Sequence, residues 1–371
     1  MKLTVSSNEL QKSLANISGV IPTKSTLPIL ENFLLELSEN ELTLTATDLE
    51  IFASVKLSIK SSEKGKIAIP AKKLLDTIRA LPETSITILA DGATNKVEMS
   101  TQNGTYKLTG ESSENYPSVP SFKEHEELQV DNETLRRLIM KTAFAVSSDE
   151  LRPAMTGILF QIRNSEIRAV ATDGHRLVRF SKSSSASKNV QKEIVIPAKA
   201  LNLVAKCIEE TPTKISLNET QAMFNLGNIT LVSRMIDEKY PNYESVIPLD
   251  NDRKLIVNKN ELLDSVRRTS LYASSTTHLV RISLHKNSVT VSAEDIDFGS
   301  EAKETMKCDY TSEPMEIGFN SYYIVDVLSH LDTDEALFLF STPARAAIVK
   351  PSTQREGEDL LMLVMPVRLN V

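Results

Sequence analysis

The chain has 371 residues, 41% of them hydrophobic and 25% charged, and a formal net charge of −7 at pH 7. It is long enough for several domains that each fill a core, and its acidic balance, taken alone, argues against a nucleic-acid binder. Two cysteines outside any CxxC predict reduced thiols, and the lack of an apolar N-terminal run or of any apolar stretch near ~20 residues predicts a cytoplasmic protein without membrane contact.

Three kinds of segment recur in the same order, roughly 125 residues apart. The first opens each copy, at Val5, Val130 and Val257, and predicts a helix. Its apolar residues fall at helical spacing: Leu10, Leu14 and Ile17, then Leu135, Leu138 and Ile139, then Leu262, Leu263 and Val266. Asn8, Asn132 and Asn260 stand near the starts as expected caps, and Glu9, Glu133 and Glu261 follow, favouring the helix dipole. The second segment, at 42–48, 167–173 and 289–295, alternates apolar and polar residues as half-buried strands do. Each ends on an aspartate, Asp48, Asp173 or Asp295, which reads as a turn former bonding its own backbone.

The third segment is a β-branched run ending at Pro70 or Pro197, more diverged around Gly318, and a second helix follows. Proline suits a first helical turn, where its missing N–H costs nothing. Six helices are expected, over 8–17, 71–80, 132–145, 198–208, 259–271 and 321–331. Each copy then reads as two helices on one face of an antiparallel sheet, an α+β domain, because solenoid repeats are far shorter than these units. The expected domains are 1–122, 128–247 and 248–371. Segments 116–122 and 240–248 read as linkers, and the serine-rich 181–187 as an exposed loop.

Catalytic patterns are missing. There is no GxGxxG, Walker loop or HExxH, and the five histidines have no metal-ligand spacing apart from His278 and His285, which fall across a strand and its turn. No cofactor or metal is expected. Gly174, His175 and Arg176 follow Asp173 in copy two only, so the common fold does not require them. An enzyme using Asp173, His175 and Arg176 lacks an accompanying nucleophile or cofactor loop, and a protein-binding scaffold without DNA is the other competing reading. The six helical segments are together net positive in an acidic chain, which concentrates cationic residues on one class of element.

The whole chain resembles the bacterial β sliding clamp family, the processivity subunit of the replicative DNA polymerase. The resemblance is carried by the strings at 26–30, 171–177, 315–320 and 364–369. It implies three repeated domains of the DNA-clamp fold, helices lining the inside and sheets outside, in a head-to-tail homodimeric ring without catalysis of its own. The implied partners are double-stranded DNA, the replicative DNA polymerase, a clamp loader and other proteins bearing a clamp-binding motif. Size agrees: domains behaving as spheres about 35 Å across leave a gap of about 5 Å when three touch and about 35 Å when six form a hexagon. A duplex on the order of 20 Å wide passes only the second.

The resemblance assigns residues as well. A peptide pocket would be formed by Met155, Thr172, Gly174, His175, Arg176, Leu177, Pro241, Val246, Ala344, Ala346, Leu363, Val364, Met365, Pro366, Val367 and Arg368. DNA would meet Lys12, Lys24, Lys72, Arg79, Arg137, Lys141, Lys199, Lys206 and Arg267. The dimer interface would join Lys73, Tyr106 and Leu108 of one copy to Leu271, Tyr272, Glu301 and Glu304 of the other. The tail departs from the family by continuing through Asn370 and Val371, at the expected pocket mouth.

Overall fold

The structure, a computed structural model, describes residues 1–120, 122, 125–183 and 191–369, and for 60–62 the backbone alone. Among these are six α-helices: α1 (Ser7–Ile17), α2 (Ala71–Ala80), α3 (Asn132–Thr142), α4 (Ala198–Cys207), α5 (Lys259–Ser270) and α6 (Ser321–Ser329). A 3₁₀ turn, Ala143–Ala145, prolongs α3. Every helix falls where the apolar period puts it, and Leu10, Leu14, Ile17, Leu138, Leu262 and Val266 are fully buried. Each such side chain removed from water contributes about 1.5–3 kcal/mol. The alternating segments are strands as expected: Glu41–Thr47, Glu166–Thr172 and Ser288–Asp295.

Contacts divide the chain into two compact units, Met1–Arg136 with Ile196–Ile236, and Arg137–Val195 with Asp237–Val371. The division cuts copy two in half because sheets run on from one copy into the next. In the first unit an eight-stranded sheet pairs Ile51–Ser58 of copy one with Ile229–Arg234 of copy two, Val55 opposite Ile229. Behind it α1 and α4 approach so closely that a Cβ on Gly19 would lie 2.6 Å from Leu203 Cδ2. Lys206 Nζ donates to the Ala15 carbonyl at 2.6 Å, satisfying an orphan acceptor in the last turn of α1. The unit's other sheet has five strands and ends on the edge strand Thr105–Thr109.

The second unit repeats the arrangement. A nine-stranded sheet pairs Arg176–Ser183 of copy two with Glu358–Val364 of copy three, Phe180 opposite Leu360. Its companion sheet has four strands and ends on the edge strand Ser300–Lys307.

Helix starts differ from expectation. Before every helix but α3 a strand runs straight in and its last residue takes the cap position; before α3, Val130 and Asp131 intervene and Asp131 takes it. Asn258 Oδ1 accepts from Glu261 N at 3.0 Å and Asn320 Oδ1 from Tyr322 N at 2.9 Å. Asp131 Oδ1 serves Thr134 N at 2.8 Å, while Ser6 precedes α1 with no side-chain bond. Asn8 and Asn260 lie inside their helices. Asn132 bonds instead to residues after α4, accepting from Thr213 N at 2.9 Å and donating to the Thr211 carbonyl at 2.8 Å. Pro70 and Pro197 likewise sit one residue before α2 and α4.

Two other assignments change. Ser181 is buried within the strand Arg176–Ser183, and 184–187 of the expected loop lie outside the described residues. Tyr116 and Tyr240, expected in linkers, are core residues. The Tyr116 hydroxyl donates to the carbonyls of Asn32 and Thr45 at 3.2 and 3.1 Å, and that of Tyr240 to Val170 at 3.5 Å.

Candidate functional site

The aspartate turn is built the same way three times. Asp48 Oδ1 accepts from the N–H groups of Glu50 and Ile51, Asp173 Oδ1 from His175 and Arg176, and Asp295 Oδ1 from Asp297 and Phe298. In copies one and two the preceding threonine adds a bond, Thr47 Oγ1 accepting from Leu49 N and Thr172 Oγ1 from Gly174 N. Leu49 and Gly174 both hold positive φ, 78° and 90°. Positive φ alone therefore does not demand the glycine. What the glycine adds is room beside the turn: a Cβ there would lie 3.3 Å from the end of the Arg152 side chain and in ordinary contact, 3.8 Å, with Met155 Cε.

Arg176 fixes this turn in the second unit. Its Nε donates to Asp173 Oδ2 at 3.1 Å, Nη2 to the Phe144 carbonyl at 2.6 Å and Nη1 to Asp326 on α6. The guanidinium also lies over the rings of Phe144 and Tyr323, 5.4 and 5.0 Å from their centroids. With every nitrogen engaged, it shapes a wall and has no spare fork for a ligand. His175 is exposed and stacks on Tyr323 at 5.9 Å.

A cavity of about 260 Å³ opens beside the turn, entirely within the second unit. Of the expected pocket residues, Met155, Thr172, Gly174, His175, Arg176, Leu177, Pro241, Val246, Leu363 and Met365 line it. Ala344, Ala346, Val364, Pro366, Val367 and Arg368 do not. Val364 is fully buried in the sheet, and Val367 N bonds to the Gly318 carbonyl at 2.8 Å, taking the tail onto the four-stranded sheet. Asn370 and Val371 lie outside the described residues. Arg152, Asn242 and Tyr243 line the cavity without having been expected. Tyr243 is held by Arg168, which donates to its hydroxyl at 3.0 Å, and by Gln161 at 2.7 Å. The Tyr-Pro string shared with copy one was the available signal for that segment. The lining combines an apolar floor with a few oriented polar groups, as ligand cavities do.

The cationic residues separate into two groups. Lys24, Lys72 and Arg79 are exposed and make no ion pair among the described residues; Lys12 pairs with Glu209 at 2.7 Å and Arg267 with Asp264 at 3.6 Å, both in water. Lys199 is half-exposed, held to Asp48 at 2.6 Å, and Lys206 is exposed. Arg137 and Lys141 are corrected. Arg137 donates to Glu358 and Asp332, and Lys141 is buried, donating to Asp332 at 2.6 Å and to the His330 carbonyl at 2.5 Å. Their charges are consumed inside the second unit. Burial pushes the Lys141 ammonium below its ordinary range despite Asp332. Burial also opposes ionisation of Asp332, but hydrogen bonds from Lys141 and Arg137 outweigh it and hold the carboxyl below its ordinary range.

The expected interface residues lie on or near the two edge strands. Tyr106 and Leu108 are on Thr105–Thr109 and Lys73 is exposed on α2, in the first unit. In the second, Glu301 and Glu304 are on Ser300–Lys307, where Glu304 pairs with Arg268 at 2.7 Å, and Leu271 and Tyr272 follow α5 exposed.

Known structures give the class. A sliding clamp from Bartonella birtlesii, bound to griselimycin, is 30% identical with a TM-score of 0.93, and one from Bacillus subtilis is 26% identical with a TM-score of 0.90; each match covers 100% of both chains. The fold is thus the three-domain α+β fold of the sliding clamps. Family models of the DNA polymerase III beta subunit match residues 1–120 (N-terminal domain), 129–242 (central domain) and 244–368 (C-terminal domain), and the chain belongs to that family. The beta sliding clamp of Vibrio cholerae is 29% identical over 100% of both chains.

The Asp332 cluster makes stability acid-sensitive. A carboxyl held low in the folded state contributes fully above its unfolded value of about 3.9, and the contribution is lost as pH falls through the lower folded value. Asp332 is only two-thirds covered, which discounts the effect to about 1 kcal/mol. Urea unfolding between about pH 6 and about pH 3 should therefore show a shallower acid loss in Asp332→Asn than in the parent; equal slopes would mean that the carboxylate contributes nothing.

Proposed function

We propose that the chain is a DNA sliding clamp: two copies join head to tail, encircle duplex DNA and tether the replicative polymerase for processive synthesis. The observation that carries this reading is that two strands of the kind that joins copy to copy are left at sheet edges. At both internal junctions the strand after the aspartate turn pairs with the last strand of the next copy. Copy three has no next copy and copy one no predecessor, so among the described residues Ser300–Lys307 and Thr105–Thr109 are left open. Such edges invite another strand. A heterologous pairing of one open end with the other closes into a ring when the rotation per step allows it. On this reading the three copies, 1–122, 128–247 and 248–371, are its domains.

Carrying the internal register to this junction sets Lys107 opposite Glu301 and Leu108 opposite Ser300 of the second copy. Tyr106 and Leu108 then meet Leu271 and Tyr272, with Lys73 and Glu304 beside them. Lys12, Lys24, Lys72, Arg79, Lys199, Lys206 and Arg267 serve as sequence-blind phosphate contacts, which weaken with salt and permit sliding. A closed ring has no entrance for circular DNA, so a clamp loader opens it. The cavity at Gly174 takes short apolar segments of the polymerase, the clamp loader and other proteins with a clamp-binding motif, and the protein works in the cytoplasm.

Three outcomes test this. Loaded onto nicked circular plasmid by an active clamp loader, the protein should co-elute with circles at moderate salt and leave once the plasmid is linearised; equal retention on both forms rules out encirclement. Lys107→Glu or Glu301→Lys alone should weaken the dimer on the order of 10-fold by sedimentation, and the two together should restore it. Gly174→Ala should reduce binding of an apolar clamp-binding peptide on the order of 10-fold while leaving the dimer intact, read by fluorescence anisotropy; undiminished binding would move the peptide elsewhere.

A further inference from the structure

The turn after Ser288–Asp295 differs from its two counterparts in length and in what it carries. Thr47 pairs with Phe52 and Thr172 with Leu177, but Glu294 pairs with Glu301, so the third turn is two residues longer. Its tip holds Ile296 and Phe298, 85% and 84% exposed, on either side of Asp297. Two neighbouring large apolar side chains in water on a hairpin tip are a feature of interaction surfaces.

What such a tip touches is visible at the internal junctions. In the first unit Arg234 N donates to the Glu50 carbonyl at 2.9 Å, and in the second Met365 N donates to the His175 carbonyl at 2.8 Å. The chain leaving the last strand is thus tied, both times, to the tip of the preceding copy's turn. At the open junction, the chain in that position is Thr109 and Gly110 of a second copy. Beside them lies a hollow of about 610 Å³ whose lining includes Leu89, Ala90 and Leu108, with Lys96 and Lys107. Glu63, Asp91 and Glu98 also line it, with Lys107 held to Glu98 at 3.2 Å, so what matches the tip of the incoming turn is the apolar character of Leu89, Ala90 and Leu108.

We propose that Ile296 and Phe298 of one copy seat in this hollow of the other. The inference rests on the head-to-tail dimer. The same turn then has opposite uses in adjacent copies: Gly174 leaves a cavity open for a ligand, whereas the longer third turn fills its hollow and locks the junction.

Sedimentation of the full-length protein tests this with three variants. Ile296→Ser with Phe298→Ser changes only exposed side chains, and Leu89→Glu puts a charge into the hollow. Each should raise the dimer dissociation constant on the order of 100-fold with unchanged thermal unfolding of the monomer. Glu301→Lys is the control for the strand register. If the parent chain is a monomer at every concentration, the dimer itself is wrong. If Glu301→Lys weakens the dimer but the double serine variant associates like the parent, the dimer stands and the plug is overturned. A loss with the double serine variant and none with Leu89→Glu overturns the hollow as its seat.

Discussion

A strand at the edge of a sheet leaves a row of N–H and C=O groups without partners, and only another strand satisfies them well. This requirement organises the molecule. Each copy offers two strands for joining, the one after its aspartate turn and its last, and copy joins copy by pairing the first with the second of the next, Val55 against Ile229 and Phe180 against Leu360. The compact units consequently fail to coincide with the sequence repeat, since strand ladders cross from one copy to its neighbour. A chain of three such copies necessarily retains one edge of each kind. The proposed dimer would continue the internal construction.

The aspartate turn shows how one local solution is put to different uses. The two bonds accepted by the aspartate are the same in all three copies, so Asp48, Asp173 and Asp295 start the turn alike and leave its tip free to vary in residue and, in copy three, in length. Copy one accepts Leu49 at positive φ, and copy two has Gly174 beside Met155, where a side chain would intrude on the cavity. Arg176 adds what the common turn lacks, tying it to Phe144 and Asp326 so that the cavity wall is rigid before any ligand arrives.

Helices, central strands and the turn were legible in the sequence because each depends on residues close together in the chain. The period of Leu10, Leu14 and Ile17 survives whatever packs on it, and an aspartate bonds its own backbone two and three residues on. Caps were misread for an equally local reason: strands run into helices without a loop, so Asn258 and not Asn260 takes the cap position. The fates of Arg137 and Lys141 were not legible at all. They are decided by Asp332 and Glu358, roughly two hundred residues away, and nothing on α3 itself distinguishes a cation that will be buried from one that will face water. Five of the thirteen residues that line the cavity lie in one string, Thr172 to Leu177, while Arg152 and Tyr243 reach it through contacts that no spacing encodes.

The fate of that pair also bears on how positive helices should be interpreted. Net charge counted along a segment becomes a field only where the charges remain in water, and α3 gives two of its cations to acceptors inside the second unit. What remains available is a dispersed set on other helices, several of them already sharing an ion pair, as Lys12 does with Glu209 and Lys199 with Asp48. A contact surface of this kind exchanges one weak partner for another at little cost. On the proposed reading, counterion release from a few such lysines would hold a phosphate backbone loosely and read no bases, leaving affinity low enough for movement along the duplex. Retention in that reading comes from closure of the proposed ring, which returns the burden to the strand edges and to whatever seals them.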